Sequence, residues 1–376
     1  MARNPRNTAH ATARDLPGQV VLVLQGGGAL GAYQIGVYQA LHEAGVEPDW
    51  VIGTSIGAIN GAIIAGNPPE RRLARLEAFW STVRQQQFHA MLPPWLGVAN
   101  LLSNLSMYTR GVEGFFAPNP GVAWGLHAGV GVERASYYTT GPLNATLQGL
   151  VDFPCINSKL VRLTLGAVNV RSGEMRYFDN RDIELDVRHV MASGALPPAF
   201  PAVRIDGDPY WDGGIYSNTP MEVVLDDKPR RDSVIFAANL WHAQASEPGS
   251  IWEVLGRQKD IQYASRAASH VLRQQQIHRL RHIIRELAQH LPPEQRKEKE
   301  MQELVAYGCA TVMHVVPLNV PRLDGEDHTK DIDFTPLGIS GRREAGYTAT
   351  RDALERAPWT RAVDAMEGVV IHEPPN

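Results

Sequence analysis

The stretch Val20-Val21-Leu22-Val23-Leu24, running straight into Gln25-Gly26-Gly27-Gly28, constrains the fold more than any other part of the chain. A strand with one wet face alternates apolar and polar residues. This one does not alternate, so it is expected to be buried on both faces, as strands of a parallel sheet are. Ala32 to Ala44 then reads as a helix, with Tyr33, Val37, Ala40 and Leu41 at helical spacing and Gly45 as its stop. Trp50-Val51-Ile52 is a second strand, and Ser55 to Ala65 a helix of small residues able to pack closely on a sheet. Strand, glycine turn, helix, strand, serine turn, helix is an α/β pattern.

Arg71 to Arg84 reads as an amphipathic helix, Leu160 to Asn169 and Met175 to Phe178 as strands, and His189 to Ala195 as a short helix closed by Pro197-Pro198. Ser233 to Ala238 is a core strand. Beyond Trp241 the composition shifts. Ile251 to Leu291 is a long helix rich in Arg and Lys, Pro292-Pro293 breaks it, Thr311 to Val316 is a strand, and Glu344 to Arg356 is a last helix. The expected organisation is a disordered leader over residues 1–18, a core domain over 19–241 and a helix-rich extension over 242–376. Thr311 to Val316 is able to add a strand to the core sheet.

Composition narrows the function. A net charge of −4 gives no field to draw nucleic acid. Two cysteines without ligand spacing imply neither a metal site nor a disulfide framework, and fit a reducing, cytoplasmic setting. No run of ~18 apolar residues marks a membrane span. That leaves peripheral contact with a membrane open, and oligomeric state unread.

Three short segments carry the chemistry. Gly53-Thr54-Ser55-Ile56-Gly57 puts a serine on a tight turn between strand and helix, where glycines tolerate strained angles and keep the approach to the hydroxyl clear. Gly26, Gly27 and Gly28, opening onto a helix, are suited to aim amides at one oxyanion. Gly26-x-Gly28-x-x-Gly31 also satisfies a dinucleotide fingerprint, but that motif wants an acid at the end of the second strand. Asp49 lies before that strand, and Gly-Thr-Ser stands at its end. In the third segment, Asp212 is followed by Gly213-Gly214 in a tight turn after Pro209-Tyr210-Trp211. A carboxylate beside a serine in a dry cleft can become a base.

With these three motifs in this order, the chain resembles the patatin-like phospholipases, in particular bacterial members with a C-terminal extension. The resemblance covers roughly Gln19 to Val224. It implies a three-layer α/β sandwich, with a mainly parallel central sheet and helices on both faces. It implies Ser55 as nucleophile and Asp212 as its activating acid, in a dyad rather than a triad. It also implies an oxyanion hole from Gly26, Gly27 and Gly28, an elbow formed by Gly53 and Gly57, and an acid-box turn formed by Gly213 and Gly214. No metal or organic cofactor is implied, and the expected substrate is a lipid or other acyl ester. The sequence departs from the family at Leu30, where a basic residue is usual, which bears on head-group preference more than on hydrolysis.

Other readings stay open at this level. The chain could be a carboxylesterase acting on hydroxyacid or short acyl esters, or a catalytically silent lipid-binding or regulatory protein. His242, His270, His278 and His314 all follow Asp212, so a conventional triad is not excluded by order. Phe88 to Trp124, rich in aromatics and leucines, reads equally as acyl-chain wall, lid or core, and the basic helix after Ile251 as a solvated face or an anionic-lipid contact.

Overall fold

The computed structural model describes residues 16–84, 111–125, 127, 129–323 and 326–373. Its centre is a nine-stranded sheet. The strands are β1 (Gln19–Leu24), β2 (Trp50–Thr54), β3 (Arg162–Asn169), β4 (Met175–Asp179), β5 (Val203–Ile205), β6 (Asp208–Asp212), β7 (Ser233–Asn239), β8 (Met313–Asn319) and β9 (Val369–Ile371). Their order across the sheet is β9-β8-β7-β1-β2-β3-β6-β5, with β4 on the other edge of β3. From β9 to β3 every pairing is parallel; β4, β5 and β6 run antiparallel to their neighbours.

β1 explains its own composition. Val20, Leu22 and Leu24 enter the core on one face, Val21 and Val23 the core on the other. This is the period-two alternation of a strand with both faces covered. The first face holds α1 (Tyr33–Glu43), α2 (Ile56–Ala65) and α3 (Pro69–Thr82). The second is covered by the short helix α5 (Met221–Leu225) and by α6 (Ile251–His290), whose Val271 joins that core. Between them in sequence lies α4 (Val187–Ser193), which starts on an Asp186 capping box. Among the described residues no helix is long and apolar enough to cross a membrane.

The C-terminal part does not stand apart. β8 lies beside β7 in parallel over seven residues, and β9 adds to β8. The last helix, α7 (Pro336–Arg356), starts eight residues earlier than Glu344, where its pattern becomes visible, because Thr335 caps it and Pro336 sits in its first turn. It lies against α1 with backbone touching backbone. A β-carbon on Gly36 would lie 1.8 Å from the Arg343 carbonyl oxygen, and one on Gly346 would lie 2.1 Å from that of Tyr33. The hairpin β5–β6 was not expected as strands. Three to five residues carry little periodicity, and Pro209 argues against a strand interior; here it sits in a short ladder opposite Arg204.

The glycine crossing gives a direct test. Gly346→Val must push α7 off α1, and should destabilise the protein by about 2–3 kcal/mol as overpacking does. Urea unfolding of the variant beside the native chain measures this.

Candidate active site

One strand brings the two candidate residues together. The first part of β3 pairs with β2, with Thr54 opposite Gly166 as the last rung. β4 takes the opposite edge over residues 164–168. Ala167 pairs both with Arg176 of β4 and with Asp212 of β6, so β6 must use the edge that β2 has just vacated. β2 and β6 therefore approach each other end to end along β3. Thr54 and Asp212 sit opposite consecutive residues, and Ser55 is the next residue after Thr54.

A second tether repeats the registration. The Ser55 amide donates to the Ser193 carbonyl and to Ser193 Oγ, each at 3.1 Å, and the Asp212 amide donates to the Ala195 carbonyl at 3.0 Å. Ser193 Oγ itself donates to the Gly166 carbonyl at 2.6 Å. The end of α4 thus holds both backbones to the same point of β3.

Ser55 occupies φ 58° and ψ −126°, a conformation that costs a non-glycine residue energy. It is the turn by which strand β2 becomes helix α2. The turn is tight enough that a β-carbon on Gly57 would lie 2.1 Å from the Leu24 carbonyl oxygen. Asp212 ends β6 and caps the short turn Gly213–Ile215, where its Oδ1 accepts from the Gly214 amide at 2.7 Å. The Ser55 side chain lies close enough to the Asp212 carboxyl to lower its pKa. Asp212 is 1% exposed. Loss of water raises its pKa to about 7, against the smaller lowering effects of Ser55 and of the Gly214 hydrogen bond.

The glycine loop needs one correction. Gly26, Gly27 and Gly28 were expected to supply oxyanion donors together. The Gly26 amide is already committed, donating to the Asn218 carbonyl at 3.1 Å. Gly26 acts as a strut: its own carbonyl accepts from Asn218 Nδ2 at 2.9 Å and from Trp241 Nε1 at 2.7 Å. Gly27 and Gly28 enter the turn Gly28–Ala32, and among the described residues no protein acceptor meets their amides. The carbonyl and amide of a trans peptide point opposite ways, so anchoring the Gly26 carbonyl fixes the direction of the Gly27 N–H.

Behind this loop runs a buried amide relay that sequence patterns did not reveal. Trp80 Nε1 donates to Asn60, Asn60 to Gln34, Gln34 to the Gln25 carbonyl, and Gln25 to Thr219. Gln25 Oε1 accepts from the Leu240 and Trp241 amides. The available signal was polar side chains at positions facing the core, which must find partners there.

Leu30 is 1% exposed and packs inside the first core. Asp49 accepts from the Val20 amide at the start of the sheet, the opposite end from the glycines, where it cannot serve a nucleotide ribose. Among the described residues no histidine hydrogen-bonds to Ser55 or Asp212. His278 bonds the Leu225 carbonyl, His314 pairs with His372, and burial lowers the His242 pKa to about 4. Of the aromatic segment, Phe115 and Phe116 are buried among Phe79, Phe200, Tyr138 and Phe334. The expectation for residues 88–107 lies outside the described residues. On α6, Arg257 donates to the His242 and Ala243 carbonyls and Lys259 pairs with Asp331, so these two do not belong to an open basic face.

Fold and site together define an α/β protein of the nucleophile-elbow type, with a strained serine facing one buried carboxyl. The family model "Patatin-like phospholipase" matches residues 22–225, more than half the chain, and a second, described as "Patatin phospholipase", matches 261–366. The chain belongs to the patatin-like phospholipase family. Lysophospholipase nte1 of Aspergillus terreus is 58% identical over 57 residues, 15% of this chain and 4% of that protein. Patatin-like phospholipase domain-containing protein ZK370.4 of Caenorhabditis elegans is 26% identical over 214 residues, 56% of this chain and 13% of that protein. The chain thus spans a small fraction of the length of these relatives. Among solved structures, VipD from Legionella pneumophila aligns over 90% of this chain and 67% of its own, at 16% identity and a TM-score of 0.38.

The raised pKa makes stability depend on pH. An unfolded Asp212 ionises near 3.8, while the folded one keeps its proton to about 7. Its protonated form therefore supports folding fully below pH 3.8, and that contribution is lost as pH rises through 7. Asp212→Asn removes this titration. The Tm of the variant minus that of the native chain should be larger at pH 8 than at pH 5, measured by scanning calorimetry.

Proposed function

We propose that the chain hydrolyses carboxylic esters of lipids, of the phospholipase A or lysophospholipase kind, with Ser55 and Asp212 as its working pair. The observation that carries this reading is that Ser55, on a strained strand-to-helix turn, and the buried Asp212 carboxyl are brought together at consecutive rungs of β3, close enough for the serine side chain to lower the carboxyl's pKa. A carboxyl whose pKa lies near 7 is both available as a base and strong enough to use at neutral pH.

The reaction follows from the geometry. Asp212 accepts the Ser55 proton as Oγ attacks the ester carbonyl. The Gly27 and Gly28 amides hold the oxyanion. Asp212 returns the proton to the departing alcohol, leaving an acyl-serine. Water, losing its proton to Asp212, then releases the fatty acid and restores Ser55. Family membership and the names of the relatives support a lipid ester as substrate. We place the protein in the cytoplasm, meeting lipid surfaces from outside. The unit 19–241 supplies the chemistry, and 242–376 completes the sheet and covers α1.

The test is a panel of phospholipids, lysophospholipids, triacylglycerols and short soluble esters, run beside Ser55→Ala. Release of fatty acid by the native chain alone supports the reading. Loss of all activity on lipids with retention on short esters would redirect it to a carboxylesterase. A fluorophosphonate should label the native chain at Ser55 and leave Ser55→Ala unlabelled, read by mass spectrometry.

Because the base must be ionised, kcat/KM on a soluble ester should rise through pH 6–8 with a midpoint near 7, following Asp212. Asp212→Asn should lower kcat by roughly 10²–10⁴-fold. A variant with near-native rate would assign the base elsewhere.

A further inference from the structure

Two lysines of the C-terminal part reach the glycine loop indirectly, and nothing in the proposed chemistry uses them. Lys330 and Asp260 form an ion pair at 2.8 Å, with side chains 8% and 6% exposed. Their sequence neighbours form a second pair in the opposite sense, Lys259 with Asp331 at 2.7 Å. Asp260 and Lys259 belong to α6; Lys330 and Asp331 belong to the turn Lys330–Ile332. The two elements are therefore buckled together by crossed charges. A lone lysine or aspartate as deeply buried as Lys330 or Asp260 would be costly, and their pairing offsets that cost only while the two elements stay in register; the partly exposed Lys259–Asp331 pair adds a second tie between the same elements.

The buckle lies on the loop. The Asp331 carbonyl oxygen sits 2.3 Å from where a β-carbon of Gly28 would be, and Gly28 holds φ +56°, so the turn presses directly on the backbone of that residue. On the other side, the Lys330 ammonium lies 5.4 Å from the centre of the Trp241 ring, and Tyr263 of α6 packs against the same ring at 4.8 Å. Trp241 is the residue whose Nε1 holds the Gly26 carbonyl. Gln25, one residue earlier, donates to the Tyr263 carbonyl at 3.3 Å. Residues of the C-terminal part thus touch the loop at Gln25 and Gly28, and support the tryptophan that fixes Gly26.

We propose that the crossed pairs Lys330–Asp260 and Lys259–Asp331 are positioning residues for the oxyanion loop, holding the Gly27 and Gly28 amides in the orientation that binds a tetrahedral oxyanion. This rests on the hydrolase reading above. The pairs touch no substrate. They act through the turn on Gly28 and through Trp241 on Gly26. A loosened loop still admits an ester, but no longer meets the transition state with fixed donors, so the loss falls on kcat and not on KM.

The experiment uses the full-length chain with Lys330→Met, Lys330→Arg and Lys259→Gln. Thermal melting establishes that each is folded. Hydrogen exchange of the peptide covering residues 24–32 is then measured, with kcat, KM and inhibition by a long-chain trifluoromethyl ketone, which forms a tetrahedral adduct with the serine. For Lys330→Met, exchange at residues 26–29 should quicken at least about tenfold, an opening free-energy change measurable against the native loop. Its kcat should fall about 10- to 100-fold with KM held within about threefold, less than the ~10²–10³-fold cost of deleting an oxyanion donor outright. Ketone affinity should fall in step with kcat, and Lys330→Arg, which keeps the charge, should restore all three. A folded Lys330→Met with native exchange and native kcat overturns the proposal, as does a loss of kcat that Lys330→Arg does not recover. If Lys330→Met does not fold, Lys259→Gln, whose lysine is 35% exposed, decides by the same measurements at smaller amplitude. Should the native chain cleave no ester, the hydrolase reading falls, while the exchange data still report whether the pairs hold the loop.

Discussion

Everything at the candidate site depends on one edge of one strand. β3 is long enough to pair with β2 over its first half and β6 over its second, and these two arrive from opposite directions. Thr54 and Asp212, 158 positions apart in the chain, are brought to adjacent rungs by the backbone ladder, and Ser55 follows Thr54 directly. No flexible side chain has to reach across a cleft. That matters because the contact between Ser55 and Asp212 must be kept within a few tenths of an ångström, and ladders of backbone bonds hold distances more tightly than loops do.

The same arrangement sets the electrostatics. Asp212 ends its strand beneath the elbow, buried, and its Gly214 and Ser55 neighbours offset part of the loss of water. More donors would stabilise the charge and lower the pKa; fewer would hold the carboxyl protonated further above neutral pH. Ser55 faces a similar balance. Its strained backbone is tolerated because Ser193 ties its amide twice.

Much of this was legible in the residue order. The unbroken run Val20 to Leu24 implied a strand covered on both sides. The three glycine-bearing segments named the residues that now stand together. Motifs report on neighbours in sequence, and failed where the decisive partner was distant. Gly26 looked equivalent to Gly27 and Gly28 until Asn218 and Trp241, about 190 and 215 residues later, were found on it. The amide relay from Trp80 to Thr219 was hidden for the same reason, since a buried glutamine and an exposed one are written alike. β5 and β9 are three residues each, too short for a period to declare itself. The strand of the C-terminal part was legible, because Thr311 to Val316 reads as a strand able to join the core sheet and β8 does join it; its further attachment through glycine contacts and ion pairs is not something composition registers.

The seating of α7 on α1 has a consequence for how the molecule is made. α1 emerges about 300 residues before the helix that covers it is completed at Arg356. The strand next to β1 on one side, β7, and the strand beyond it, β8, also come late. A nascent chain carrying all three motifs is therefore still an open half-structure, with the apolar backs of α1 and β1 in water. Such a chain needs protection from aggregation until α7 has been made.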